Sequence, residues 1–331
     1  MNNSQYPHTE QKLVCLDGET LYHCGADADS HWSVFDGICD VTVWNRTAPE
    51  LVVERLRGAT MALTNKTVID AAAIAALPDL KYIGVLATGY NVVDVAAATA
   101  AGITVTNIPA YSTASVAQQA IALLLAITNR VETYATEVSR GRWTACPDFT
   151  FRIEEWHELA GKTFGVVGFG NTGRATAAIA ASLGMQIAVY TSKDAAQLPA
   201  GYRKVDLDTL FAESDVVSLH CPLTPQTQGL VDASRLSRMK HSAILINTGR
   251  GPLVVDMDLA EALVQGRIFA AGLDVMATEP PLPGNPLLSA PRCYVTPHVA
   301  WSSVEARERL LDIAVSNVKA FLAGKPENVV H

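Results

Sequence analysis

The sequence predicts two doubly wound α/β domains, each built on a parallel sheet, and three observations lead there. Short β-rich segments ending in turn residues alternate with Ala- and Leu-rich helical stretches from about residue 11 to about residue 300. The strand segments fall into two sets separated by one long helical stretch. A chain of 331 residues is too long for one ordinary core and long enough for two.

The first set of strands reads KLVCL (12–16), VTVW (41–44), MALTN (61–65), YIGVLAT (82–88) and ITVTN (103–107). The long helix follows as SVAQQAIALLLAITNRVETYATEVSRGRW, with Ser112, Thr113 and Ser115 as capping residues and Gly141 as its stop. Next comes DFTFRIEEWHELAGK, aromatic and irregular in period, which reads as a surface arm that packs on something else. The second set is TFGVVG (163–168), QIAVYT (186–191), DVVSLH (215–220), AILINTG (243–249), AAGLDV (270–275) and CYVTPH (293–298). Six strands at this spacing make a full dinucleotide-type sheet. The last helical stretch, VEARERLLDIAVSNVKAFLAG, is amphipathic and is expected to pack back on the first domain.

Composition narrows the function classes. No run approaches the ~20 apolar residues of a membrane-spanning helix, and MNNSQYPHTEQK reads as a short tail rather than a signal peptide. The six cysteines (Cys15, Cys24, Cys39, Cys146, Cys221, Cys293) show neither a C-x-x-C pair nor metal-ligand spacing, so reduced thiols in a cytoplasm and no metal are expected. A net charge of −8 argues against nucleic acid or an anionic membrane as partner. An anionic ligand therefore needs local groups to attract it.

Gly168-Phe169-Gly170-Asn171-Thr172-Gly173 directly follows the strand FGVV and opens the helical stretch RATAAIAASLG. In that context Gly168 permits the tight turn, Gly170 lets a pyrophosphate approach the backbone, and Gly173 lets the helix pack on the sheet. The alternative is that the glycines serve the turn alone. The acidic residue that usually ends the next strand and binds the adenosine ribose is absent. That place reads Tyr190-Thr191-Ser192-Lys193, with Asp194 further on. Nothing there repels a 2′-phosphate, and Thr191, Ser192 and Lys193 are able to bind one, which opens NADP as well as NAD. The plainer alternative is an ordinary exposed loop.

Ligands of open α/β sheets bind beyond the carboxyl ends of the strands. Arg250 follows AILINTG, Glu279 follows AAGLDV within MATEPP, and His298 ends CYVTPH, so all three fall on one sheet edge. An Arg grips a keto acid bidentately, and a His exchanges the proton that accompanies hydride transfer. A carboxylate on the second imidazole nitrogen fixes the tautomer and keeps that proton available. Singly each residue has a structural alternative, a loop cap, an exposed turn and a core histidine; together beside a dinucleotide loop they read as a catalytic set.

These motifs resemble the D-isomer-specific 2-hydroxyacid dehydrogenase family from roughly Leu80 to the C-terminus. They include the glycine loop, Cys221-Pro222-Leu223-Thr224, Asn247-Thr248-Gly249-Arg250-Gly251, Gly272-Leu273-Asp274-Val275 with Glu279-Pro280, and Thr296-Pro297-His298. The resemblance implies a flavodoxin-like substrate domain (1–110 with 303–331) and a Rossmann dinucleotide-binding domain (111–302), with a cleft between them. It implies catalytic Arg250, Glu279 and His298, and substrate contacts at the Thr88 and Gly89 amides, Arg250 and Trp301. Around the cofactor it places Gly168, Gly170, Asn171, Thr172, Gly173, Thr191, Ser192, Lys193, Cys221, Pro222, Thr227, Thr248 and Asp274, the last two orienting the carboxamide. Hinges near 108–114 and 300–305 would close the cleft.

Ala87-Thr88-Gly89-Tyr90-Asn91, Tyr111-Ser112-Thr113 and His298-Val299-Ala300-Trp301 look most like the glycerate dehydrogenase, or hydroxypyruvate reductase, branch. That implies NAD(H) or NADP(H), small 2-keto acids such as hydroxypyruvate and glyoxylate with their D-2-hydroxy acids, and a homodimer built around 115–140 and 145–160. Tyr90 and Trp301 are expected to keep the pocket small. Phosphoglycerate and phosphite dehydrogenases are the alternatives within the family. A formate dehydrogenase carries Gln where Glu279 stands. A dinucleotide-sensing corepressor is the alternative outside catalysis, and consumption of NAD(P)H with a 2-keto acid separates the two.

Overall fold

The computed structural model describes residues 11–22, 31–153 and 157–331. Residues 1–10 of the expected N-terminal tail, Cys24 and residues 154–156 of the arm lie outside them; the tail's last two residues, Gln11 and Lys12, belong to the fold, Gln11 buried just before the first strand and Lys12 within it. The chain divides into two compact units, Met1–Ser112 with Ser302–His331, and Thr113–Trp301.

In the first unit Lys12–Cys15 (β1), Asp40–Val43 (β2), Met61–Thr64 (β3), Tyr82–Val85 (β4) and Thr104–Thr106 (β5) pair in parallel, in the order β2-β1-β3-β4-β5. β3 and β4 are buried at every residue, as strands covered on both faces must be, whereas the edge strand β2 is only half-buried. The connection order reverses between β1 and β3, the place where open sheets leave a crevice. Asp70 and Asp94 cap the helices Ala71–Ala75 and Val95–Ala100 by accepting from Ala73 N (2.8 Å) and Ala97 N (2.9 Å).

The helix Val304–Leu322 completes this unit. Its buried stripe, Ala306, Leu310, Ala314, Val318 and Leu322, repeats every four residues. Asn317, fully buried in that stripe, donates to Asn107 O (3.0 Å) and accepts from Asn328 Nδ2 (2.7 Å). The tail beyond the helix then pairs with β5, through Asn107 N to Asn328 O (3.1 Å) and Val330 N to Val105 O (2.9 Å).

The second unit holds seven parallel strands: Thr163–Val167 (β6), Gln186–Tyr190 (β7), Arg203–Lys204 (β8), Val216–Leu219 (β9), Ile244–Asn247 (β10), Ala270–Leu273 (β11) and Cys293–Val295 (β12), in the order β12-β11-β10-β9-β6-β7-β8. Sequence reading expected six. It missed β8 because two exposed charged residues carry no apolar pattern. Alternate strand residues feed opposite faces: Val166, Val216 and Ile246 pack with the helices Thr113–Asn129 and Asn171–Ser182, while Val167, Val217 and Leu245 pack with Leu207–Glu213 and Asp256–Val264. The connection order reverses between β6 and β9.

The expected single long helix is two, Thr113–Asn129 and Val131–Ser139, separated by Arg130 in a left-handed conformation (φ 50°). The first buries seven residues and the second none, so the break falls where the chain leaves the covered sheet. Neither Gly nor Pro marks it, and the pattern reads straight through. Gly141 (φ 84°) does end the second helix. Ser115, expected as a cap, lies inside the first helix and donates to Ala300 O at 2.6 Å. Among the described residues no helix is long and apolar enough to cross a membrane, and no cluster of side chains could hold a metal ion.

Candidate active site

The glycine loop joins β6 to the helix Asn171–Ser182 at the β6/β9 reversal. Gly168 adopts φ 94°, and a Cβ there would stand 2.6 Å from Cys221 N. A Cβ on Gly173 would collide with the Gly168 carbonyl oxygen. A Cβ on Gly170 would meet nothing within 4 Å. Two glycines are thus required by the fold, and the third leaves the backbone bare at a helix N-terminus, as a pyrophosphate requires.

Around this loop the strand ends carry further polar groups. Thr248, after β10, is almost wholly buried, and its hydroxyl has no hydrogen-bond partner, an orphan that a bound ligand would satisfy. The residues present therefore fit a dinucleotide. Thr227 spends its hydroxyl on Pro222 O (2.7 Å) and accepts from Thr224 N (2.7 Å), so it shapes the 222–227 turn. Thr191 Oγ1 accepts from Lys193 N (3.2 Å), and Lys193 stands 6.0 Å from the Phe169 ring. Arg174 lies 5.9 Å from the same ring, a second cation that sequence reading passed over because it sits inside the helix pattern. Asp194 caps the turn Ala195–Gln197.

On the neighbouring strands the structure brings two of the three predicted catalytic residues into contact. His298 Nδ1 lies 2.7 Å from Glu279 Oε2, while Glu279 Oε1 accepts from Met276 N (3.0 Å). Arg250 is exposed, its guanidinium donating to Gly249 O (2.8 Å). The next residue, Gly251, lacks the Cβ that would collide with Met276 O, which lets the Arg250 segment lie against the turn carrying Glu279.

His298 has a left-handed backbone (φ 53°), and one residue holds it there. Asp274, 1% exposed after β11, accepts from Thr296 Oγ1 (2.6 Å) and Val299 N (3.0 Å) on one carboxylate oxygen and from Ala300 N (2.8 Å) on the other. Its carbonyl accepts His298 N at 2.8 Å. Burial pushes this carboxyl above the usual range, opposed by the three donors. The Asp274 carboxylate, which sequence reading gives to the cofactor, thus bonds the His298 loop. The helix Thr113–Asn129 supports the same loop through Ser115 and through Gln119 Nε2 to Thr296 Oγ1 (3.3 Å).

A second histidine, His220, ends β9 beside the glycine loop and bonds to Ser218 Oγ through Nε2 (2.8 Å). Burial holds its imidazole down at about 4. It is neutral at working pH and unsuited to supply a proton.

In the first unit the loop after β4 carries Thr88 and Gly89. Thr88 Oγ1 donates to Ile108 O (2.8 Å) and Asn107 Nδ2 donates to Thr88 O (2.8 Å), which pins the loop. Among the described residues neither the Thr88 nor the Gly89 amide donates a hydrogen bond.

With this geometry the comparisons agree. Residues 121–300 match the family described as D-isomer specific 2-hydroxyacid dehydrogenase, NAD binding domain, and the chain belongs to that family. It is 44% identical over 324 residues to a hydroxypyruvate reductase of Blautia hydrogenotrophica, covering 97% of this chain and 99% of that one. It is 46% identical over 323 residues to a glycerate dehydrogenase of Methylorubrum extorquens, with the same coverage. Among solved structures, an acyclic imino acid reductase (Bsp5) in complex with NADPH and D-Arg superposes with a TM-score of 0.81 at 30% identity, over 97% of this chain and all of that one.

The glycines give a test that separates folding from binding. Gly170→Ala is expected to leave the melting temperature unchanged yet weaken NADH, whereas Gly173→Ala must open the turn at a cost of ~1–3 kcal/mol and lower both. Fluorescence titration of NADH with parallel melting curves checks this. Wild-type NADH affinity in Gly170→Ala would show that no phosphate approaches that backbone.

Proposed function

We propose that the protein reduces small 2-keto acids, hydroxypyruvate and glyoxylate, to D-2-hydroxy acids, D-glycerate and glycolate, and runs the reverse reaction. The observation that carries this reading is the 2.7 Å contact of His298 Nδ1 with Glu279 Oε2, in a chain whose nearly full-length relatives include a hydroxypyruvate reductase and a glycerate dehydrogenase. The Thr88 and Gly89 amides take the substrate carboxylate. Arg250 binds the carbonyl oxygen and polarises the C=O bond. Glu279 accepts the Nδ1 proton of His298, which leaves Nε2 to carry the proton that is transferred. Bound NAD(P)H supplies the hydride. As the carbonyl carbon is reduced, His298 Nε2 gives its proton to the oxygen and becomes neutral. In the reverse direction it takes the alcohol proton as a base. Tyr90 and Trp301 wall the pocket and keep it to short substrates.

The same reading gives the cofactor site two cations, Lys193 and Arg174, around Phe169, and no carboxylate at Thr191. Exposed contacts of this kind contribute ~1 kcal/mol or less each, enough for several-fold preference but not for exclusion of NADH. Both NADH and NADPH are used. The working unit is a homodimer built on the helices Thr113–Asn129 and Val131–Ser139 and the following arm, a reading supported by the exposed Val131, Trp143 and Phe149. The five described cysteines are free thiols, which suits a cytoplasmic enzyme.

A screen of hydroxypyruvate, glyoxylate, pyruvate and phenylpyruvate with each cofactor tests the activity; fastest turnover on phenylpyruvate would overturn the small-pocket reading. His298→Ala is expected to cost roughly 10²–10⁴-fold in kcat with cofactor affinity kept. Glu279→Gln is expected to lower kcat for keto-acid reduction with cofactor affinity kept, because a neutral amide holds the His298 ring less firmly than the carboxylate 2.7 Å away. An unchanged kcat would refute that pairing. Thr191→Asp is expected to restore strong NADH selectivity, and Lys193→Ala to weaken NADPH more than NADH; a wild type inert with NADPH contradicts both. Sedimentation equilibrium checks the dimer, where a monomer at micromolar concentration is the opposing result, and cell fractionation checks the compartment.

A further inference from the structure

Strands β4 and β5 pair in parallel, so the residues that follow them, 87–89 and 107–108, lie side by side at the carboxyl edge of the first unit. Three hydrogen bonds join the two segments. Ile108 N donates to Ala87 O (3.0 Å), Asn107 Nδ2 donates to Thr88 O (2.8 Å), and Thr88 Oγ1 donates to Ile108 O (2.8 Å). Two consecutive carbonyls, those of Ala87 and Thr88, are therefore turned toward the end of β5.

A trans peptide is planar with its N–H opposed to its C=O, so a bond that fixes one carbonyl also fixes the amide of the next residue. Both of these peptides are trans. The Ile108 bond thereby sets the Thr88 N–H, and the Asn107 bond sets the Gly89 N–H, each directed away from the end of β5. Two amides on one side suit one anion. A donor on the carbonyl also polarises its peptide, which strengthens the N–H at the other end.

Asn107 is held in turn by residues that come last in the chain. Asn317, fully buried in the helix Val304–Leu322, donates from Nδ2 to Asn107 O (3.0 Å), and its Oδ1 accepts from Asn328 Nδ2 (2.7 Å). A buried amide is costly unless bonded, and this one is bonded at both ends. Asn328 sits in a left-handed turn (φ 53°), where Asn is tolerated, and its own carbonyl accepts Asn107 N (3.1 Å). Asn107 is thus fixed at its carbonyl and at its amide, with its side chain left for Thr88.

We infer that Asn107 is the positioning residue of the substrate carboxylate site, aiming the Gly89 amide, and that Asn317 and Asn328 hold it there, so that the C-terminal segment sets the affinity for the 2-keto acid; this rests on the keto-acid reductase reading above. Carboxylate binding is the same before and during hydride transfer, so its loss acts on KM and not on kcat.

The test is steady-state reduction of hydroxypyruvate by wild type, Asn107→Ala, Asn107→Asp and Asn328→Gly, with oxalate as a competing inhibitor and with NADH affinity and melting curves measured separately. Asn107→Ala is expected to raise KM and the oxalate inhibition constant roughly tenfold, with kcat within about threefold and NADH affinity unchanged. Asn107→Asp keeps the size of the side chain but sets a carboxylate oxygen against Thr88 O, and it raises both constants further. Asn328→Gly keeps the left-handed turn and removes only the side-chain bond, so it raises both by a smaller factor. Wild-type KM in Asn107→Ala, or a fall in kcat at unchanged KM, overturns the inference while leaving the reductase reading intact. Should the Asn107 variants fail to fold, Asn328→Gly decides, and a wild-type KM there overturns the inference. A wild type that reduces no 2-keto acid overturns both.

Discussion

A carboxylate shut away from water sets the geometry on which the second unit's chemistry depends. Asp274 closes the end of β11, and its two oxygens gather Thr296, Val299 and Ala300 around His298. A histidine held at positive φ stores about 1–3 kcal/mol of backbone strain. Hydrogen bonds to a charged group each return about 1.5–3 kcal/mol net. Three of them outweigh the strain, so the left-handed turn is stable and the imidazole points at Glu279 instead of following the strand. The contact between His298 and Glu279 is thus a by-product of how one buried acid satisfies its lone pairs.

The same sheet edge carries two histidines with opposite fates, and surroundings alone separate them. His220 is enclosed beside the glycine loop with only a serine hydroxyl for company, and burial keeps it neutral. His298 is part-exposed with a carboxylate at 2.7 Å. Only the second has a carboxylate within hydrogen-bond distance of its ring.

Much of this architecture was legible because period and punctuation agree: short apolar runs, several of them closed by Gly, Asn or Asp, leave little but a parallel sheet. The contact of Glu279 with His298 follows from the segments after β11 and β12, two neighbouring strands of one sheet. The short strand β8 was not legible, since two exposed charges pair through backbone alone. The break at Arg130 was hidden because it reflects where the sheet stops covering the helix, a tertiary fact with no local residue to announce it. The bonds of Asp274 were hidden for a related reason: two of its three donors are backbone amides twenty-five residues or more away, and sequence shows an acid without showing what donates to it.

The first unit is interrupted in sequence, and its last pieces are the helix Val304–Leu322 and the residues after it. Asn317 reaches Asn107, and Val330 pairs with Val105, across more than two hundred residues of intervening chain. The second unit, by contrast, is contiguous. During synthesis every residue of the second unit emerges before the helix Val304–Leu322, so the first unit cannot complete its sheet edge until the second is already whole.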